Sequence, residues 1–103
     1  MADEATDHAT LVRVTHFYPS EGNRDTLVGL LKSIAESARG AEGCFGGQVC
    51  DSDQDPEAVV AISRWRDKES MEHFHESPDF TGVMREVQPT LARPSRTEQF
   101  HPV

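Results

Sequence analysis

The residues of this sequence with usable chemistry are five histidines, two cysteines and a run of aspartates. Histidine titrates near neutrality when unperturbed, which suits it to take a proton from a substrate. His16, His73 and His75 fall inside patterned segments and are the candidates for a general base. His73 and His75 also hint at a metal site, but residues two apart on a helix point in different directions. Glu69 and His73 share a helical face, yet two ligands do not complete a site, and no metal is expected. Asp51, Asp53 and Asp55 copy the opening of a calcium-binding loop. The match then breaks, with Pro56 where such a loop needs glycine and Ile62 where it needs glutamate. A polar hairpin loop is expected instead. Cys44 and Cys50 lie on one strand in this reading, about 20 Å apart at roughly 3.3 Å per residue, far outside disulfide reach.

A chain of 103 residues makes one domain with one modest core. Eighteen acidic side chains against ten basic ones give a formal charge of −8. That balance makes nucleic acid and anionic membrane surfaces poor partners. The first residues are acidic and no apolar stretch follows them, so no secretion signal is expected and the cytoplasm is the default location.

The elements that must position the histidines follow from periodicity. Residues 1–9 read as a flexible tail, with the domain spanning 10–103. Leu11 to Tyr18 is β-branched and aromatic, a strand. A turn over P-S-E-G-N leads into a helix from about Arg24 to Arg39, with Leu27, Leu30, Leu31, Ile34 and Ala38 at helical spacing. Gly40 stops it. Strands follow at about Cys44 to Asp51 and Ala58 to Trp65, with Gly43 at a turn and Gly46 and Gly47 at a bulge. Asp67 is set to cap a second helix carrying Met71 and Phe74 inward. Ser77-Pro78 opens a third, with Phe80, Val83, Met84 and Val87 at i, i+3, i+4 and i+7. Pro89 ends it, and residues 95–101 make a last strand.

Strand, helix, two strands, two helices, strand is the α+β, ferredoxin-like order. It folds as a four-stranded antiparallel sheet with helices on one face. The uncovered face should be polar. Here Val12, Val14 and Tyr18 of the first strand, and Val60 and Ile62 of the third, alternate away from the partners that face the helices. An apolar open face predicts that a second copy of the chain covers it, most simply as a two-fold dimer.

Three stretches carry a resemblance. They are P-S-E-G before the first helix, A-E-G-C-F-G-G entering the second strand, and S-R-W-R-D-K-E-S-M-E-H-F-H-E-S-P-D-F from Ser63 to Phe80. Together they resemble the antibiotic biosynthesis monooxygenase family, over about residues 10–100. The resemblance implies a homodimer whose two sheets pack as a dimeric α/β barrel. It also implies one of several activities. In the haem-degrading branch, an Asn, a Trp and a His would stand where this chain has Thr15, Phe74 and Met84, and haem degradation is disfavoured on that ground. In the quinone-forming branch, which uses neither metal nor flavin, a strand-ending Trp and an arginine of the last helix match Trp65 and Arg85. The Asn and Tyr of that branch are replaced by Ala61 and Met71.

The resemblance therefore implies a cofactor-independent monooxygenase that oxidises a phenolic or polycyclic aromatic to a quinone, with dioxygen as co-substrate. Trp65 would stack on the substrate, Arg85 would stabilise its phenolate, and His16 or His75 would take the proton. Thr15, Phe17, Ala61 and Ser63 on the strands, with Met71, Phe74 and Met84 on the helices, would line the pocket. The loss of the Asn and Tyr keeps a second reading open: the same dimer binding an apolar metabolite, or supporting a partner, without turnover.

Overall fold

A computed structural model describes residues 8–103, so the tail expected at residues 1–9 lies, up to residue 7, outside the described residues. The elements run β1 (Leu11–Pro19), α1 (Arg24–Arg39), β2 (Cys44–Asp51), β3 (Val59–Trp65), α2 (Lys68–His75), α3 (Pro78–Val87), a short 3-10 turn (Gln88–Thr90) and β4 (Leu91–Phe100). The strands form one sheet in the order β2-β3-β1-β4, with every neighbouring pair antiparallel. This is the ferredoxin-like α+β topology that the order of elements predicts. No helix among the described residues is long and apolar enough to cross a membrane.

Local chemistry explains the boundaries. The Asp67 side chain accepts a hydrogen bond from the Ser70 backbone N–H at 2.8 Å, capping α2. Ser77 does the same for α3 through the Phe80 N–H, with Pro78 in the first turn, where no amide hydrogen is missed. Gly43 holds φ +80°, and a Cβ there would lie 2.2 Å from Ser70 Oγ, so only glycine fits between the β2 entry and α2. The register of β2 on β3 slips between Cys44 and Gly46, which is the expected bulge.

β4 begins four residues earlier than the sequence predicts, at Leu91. Pro94 hides that start from a periodicity reading, because proline cannot donate to a sheet ladder. It is tolerated because β4 is an edge strand and because the pairing with β1 shifts register between the His16 and Tyr18 partners, Arg96 and Arg93, a stretch that contains Pro94.

Alternation sorts the sheet residues onto two faces. On the helix side, Leu11, Trp65, Met71, Phe74 and Ala38 form one buried cluster, and Phe17, Leu27, Leu31, Val59 and Val87 form another. On the open side, Tyr18, Ala58 and Val60 are buried, with Val14, Cys50 and Ile62 packed around them. The open face is thus apolar at its centre, and Phe100 extends it at 48% exposure.

Candidate active site

Between the sheet and the helices, next to these two clusters, lies a cavity of about 130 Å³. Its floor is the helix-side face of the sheet. Arg13, Thr15 and Phe17 of β1 line it, beside Ala61 and Ser63 of β3 and Ser95 and Thr97 of β4. The pairing explains this, because Arg13 lies opposite Ser63 and Gln99, and Thr15 opposite Ala61 and Thr97. Directly paired residues share a face. The Thr15 and Thr97 hydroxyls stand 3.0 Å apart and hydrogen-bond to each other. Leu31, Ile34 and Ala38 of α1 and Met84 of α3 make an apolar roof.

One end of the cavity is aromatic. Trp65, 1% exposed, closes the wall where β3 ends, and its indole N–H donates to Ser63 Oγ at 2.9 Å. Phe74 tilts against it with ring centroids 5.8 Å apart, and His75 meets it edge-on at 6.4 Å. The imidazole of His75 stacks on Phe80, 4.3 Å between centroids and 19° between planes. His75 ends α2, and packing among these rings removes it in part from water. Burial first, and the nearby Arg13 charge second, lower its pKa from 6.5 to about 4. At neutral pH it is an uncharged imidazole facing the cavity. Burial also pushes the Arg13 guanidinium below its ordinary value.

Most of the residues singled out by sequence meet here. Trp65, His75, Thr15, Phe17, Ala61, Ser63, Phe74 and Met84 all line the cavity. Three do not. Arg85 is exposed on α3. The inward stripe of that helix is Phe80, Val83, Met84 and Val87, and the residue after Met84 turns about 100° away. Met71 is buried beneath the cavity, packed with Leu11 and Trp65 in the core. His16 pairs with Val60 and so faces the open side of the sheet. There its Nδ1 lies 3.0 Å from Asp55 Oδ2, which also accepts from the Tyr18 hydroxyl at 2.8 Å. His73 is exposed, and no three metal-ligating side chains cluster among the described residues.

The residue that sequence reasoning missed is Arg13. It is the cation on the cavity floor, and the signal for it was present, since it stands two residues from Leu11 and from Thr15 on the same alternating face.

The profile of the antibiotic biosynthesis monooxygenase family matches residues 10–86. The chain belongs to this family. The fold recurs in Rv0793 from Mycobacterium tuberculosis, with a TM-score of 0.84, 22% identity and coverage of 92% of this chain and 96% of that one. PA3566 from Pseudomonas aeruginosa superposes with a TM-score of 0.81 at 18% identity, over 94% and 97% of the two chains. A crystal structure described as an antibiotic biosynthesis monooxygenase gives 0.80 at 16% identity, over 90% and 98%. No curated protein matches the sequence significantly. At these identities the superpositions establish the fold, and the family profile establishes the membership.

Proposed function

We propose that this family member is a monooxygenase that oxidises a small phenolic aromatic to a quinone, with dioxygen as the only oxidant. One observation carries the reading: a cavity whose roof is apolar, whose end wall is Trp65, Phe74, His75 and Phe80, and whose floor carries hydroxyls. An aromatic ring gains offset or edge contacts from such a wall. The hydroxyls give its oxygen substituents hydrogen-bond partners.

The reaction balances without a cofactor. A phenol bearing hydrogen at the reacting carbon combines with one dioxygen molecule. One oxygen atom is inserted to form the quinone, and the other leaves as water with the two hydrogens lost. The electrons come from the deprotonated ring, so the protein must favour the anion and exclude water. Neutral His75 is the proton acceptor at hand. His16 is not, because it lies on the other face of the sheet.

The low basicity of His75 supports a second reading, in which the cavity binds an aromatic metabolite without turnover. Oxygen uptake separates the two. Purified protein without added cofactor should consume oxygen above the uncatalysed rate with one or more phenols or hydroquinones, and quinone absorbance should appear. Trp65→Phe should slow this reaction. Binding of the same compounds without uptake would replace the enzyme reading by the binding one.

The open sheet face supports a homodimer in this proposal. Val12, Val14 and Ile62 form an apolar strip across it that Phe100 continues, and a second copy would bury them. Light scattering should give twice the 11.4 kDa chain mass. A monomer would refute that assembly.

A further inference from the structure

The arginines of this protein are not treated alike. Arg24, Arg39, Arg66, Arg93 and Arg96 each have a carboxylate within 4.0 Å. Arg13 and Arg85 have none among the described residues, although acids outnumber bases by 18 to 10; Arg85 is exposed on α3, so of the two only Arg13 lines the cavity. Its guanidinium is partly buried at the cavity floor and, among the described residues, donates one hydrogen bond, to Gln99 Oε1 at 3.2 Å. A guanidinium carries five N–H donors, so most of its capacity is uncommitted. Removing a cation from water without a counter-charge is costly, and the cost is recovered when an anion binds to it.

We propose that Arg13 is the anion receptor of this cavity, and that the ligand is a single-ring aromatic bearing one acidic oxygen, held as its anion.

The rest of the cavity fits that ligand. Across the strands Arg13 stands beside Ser63, whose hydroxyl already accepts from Trp65 and retains its own hydrogen for donation. An oxygen at the guanidinium therefore meets a second donor on the floor, while the ring lies under Ile34, Phe74 and Met84. The size is that of one ring. An apolar protein cavity of about 150 Å³ takes up benzene, and this one measures about 130 Å³. Its volume favours monocyclic over polycyclic phenols. The charge count also fits. His75 is neutral at physiological pH, so the site offers one positive charge and selects a monoanion. The anion in turn offsets the Arg13 field that helps hold His75 unprotonated, so ligand binding raises the basicity of the one base in the cavity.

This inference rests on the aromatic-site reading above but not on turnover, and its test needs no oxygen chemistry. The probe is 4-nitrophenol, whose anion absorbs visible light, titrated across its ionisation with saturating protein. Trp65, the only tryptophan, reports occupancy by its fluorescence. The bound probe should ionise at least one pH unit lower than the free probe, a preference of about tenfold or more for the anion. Arg13→Gln should abolish that shift while circular dichroism shows the fold intact, and Arg13→Lys should keep part of it. Nitrobenzene, the uncharged analogue, should bind wild type about tenfold more weakly, which decides the matter even if Arg13→Gln does not fold. Failure of 4-nitrophenol to bind, equal affinity for the two analogues, or an unchanged shift in Arg13→Gln would each overturn the proposal. Anion-selective binding with no oxygen uptake from any phenol would leave it standing and remove the monooxygenase reading alone.

Discussion

The neutral His75 makes a stability prediction that can be worked through. A base with a depressed folded-state pKa favours folding as the neutral form. The penalty is absent above its ordinary value and grows as pH falls, because the unfolded chain then binds the proton more readily. For His75 the window runs from 6.5 down to about 4. At pH 4.5 the unfolded imidazole is almost fully protonated and the folded one about a quarter protonated, which costs the native state about 2.5 kcal/mol relative to pH 7.5. Partial contact with solvent reduces this to roughly 1–2 kcal/mol. A domain of this size has about 5–15 kcal/mol in total, so the loss is measurable. Asp55, held low chiefly by the Tyr18 hydroxyl, and Asp67, held low chiefly by Ser70, lose their contributions through and below 3.8. His75→Phe keeps a ring against Phe80 and removes the titration. Urea unfolding at pH 7.5 and 4.5, at one protein concentration, should show wild type losing about 1–2 kcal/mol more than His75→Phe. Equal losses in the two proteins, or an imidazole NMR titration of His75 with its midpoint near 6.5, would refute the burial argument.

Four further predictions concern single side chains. Gly43→Ala should destabilise the fold by about 1–3 kcal/mol in thermal unfolding, from its positive φ and the collision with Ser70. Gly29→Ala, in the middle of α1 where an added Cβ meets nothing within 4 Å, should stabilise it by about 0.5–1 kcal/mol. Asp67→Ala should cost about 1 kcal/mol through loss of the α2 cap, with no change in affinity for a ligand of the cavity. Arg85→Ala should leave ligand affinity and any oxygen uptake unchanged, because that side chain points to solvent; a large loss of either would return Arg85 to the site.

The helix caps at Asp67 and Ser77-Pro78, the bulge at Gly46 and the inward stripe of α3 were legible because each is a local interaction within a few residues. The α+β topology followed from the order of such elements. Arg13 was legible in principle by strand alternation, yet alternation alone assigns a face and does not say what that face looks onto. The placement of Arg85 shows the opposite case. Spacing from Trp65 suggested the pocket, while the helical period of its own neighbours pointed it to solvent, and the period prevailed.

By itself, then, the sequence determined the elements, their ends apart from the start of β4 that Pro94 hides, and the face each side chain takes, since these depend on backbone periodicity and short-range hydrogen bonds. Tertiary structure decided what stands across the cavity from what. α1 closes onto β2 so that a Cβ at Gly47 would lie in ordinary contact, 3.6 Å, with that of Ala35. The same packing sets the floor of β1, β3 and β4 against the end of α2. Only that assembly partly desolvates His75 beside Arg13 and leaves a space about one ring wide against the wall that His75 shares with Trp65. Desolvation and cavity volume are properties of surfaces brought together from distant parts of the chain, and no local pattern encodes them.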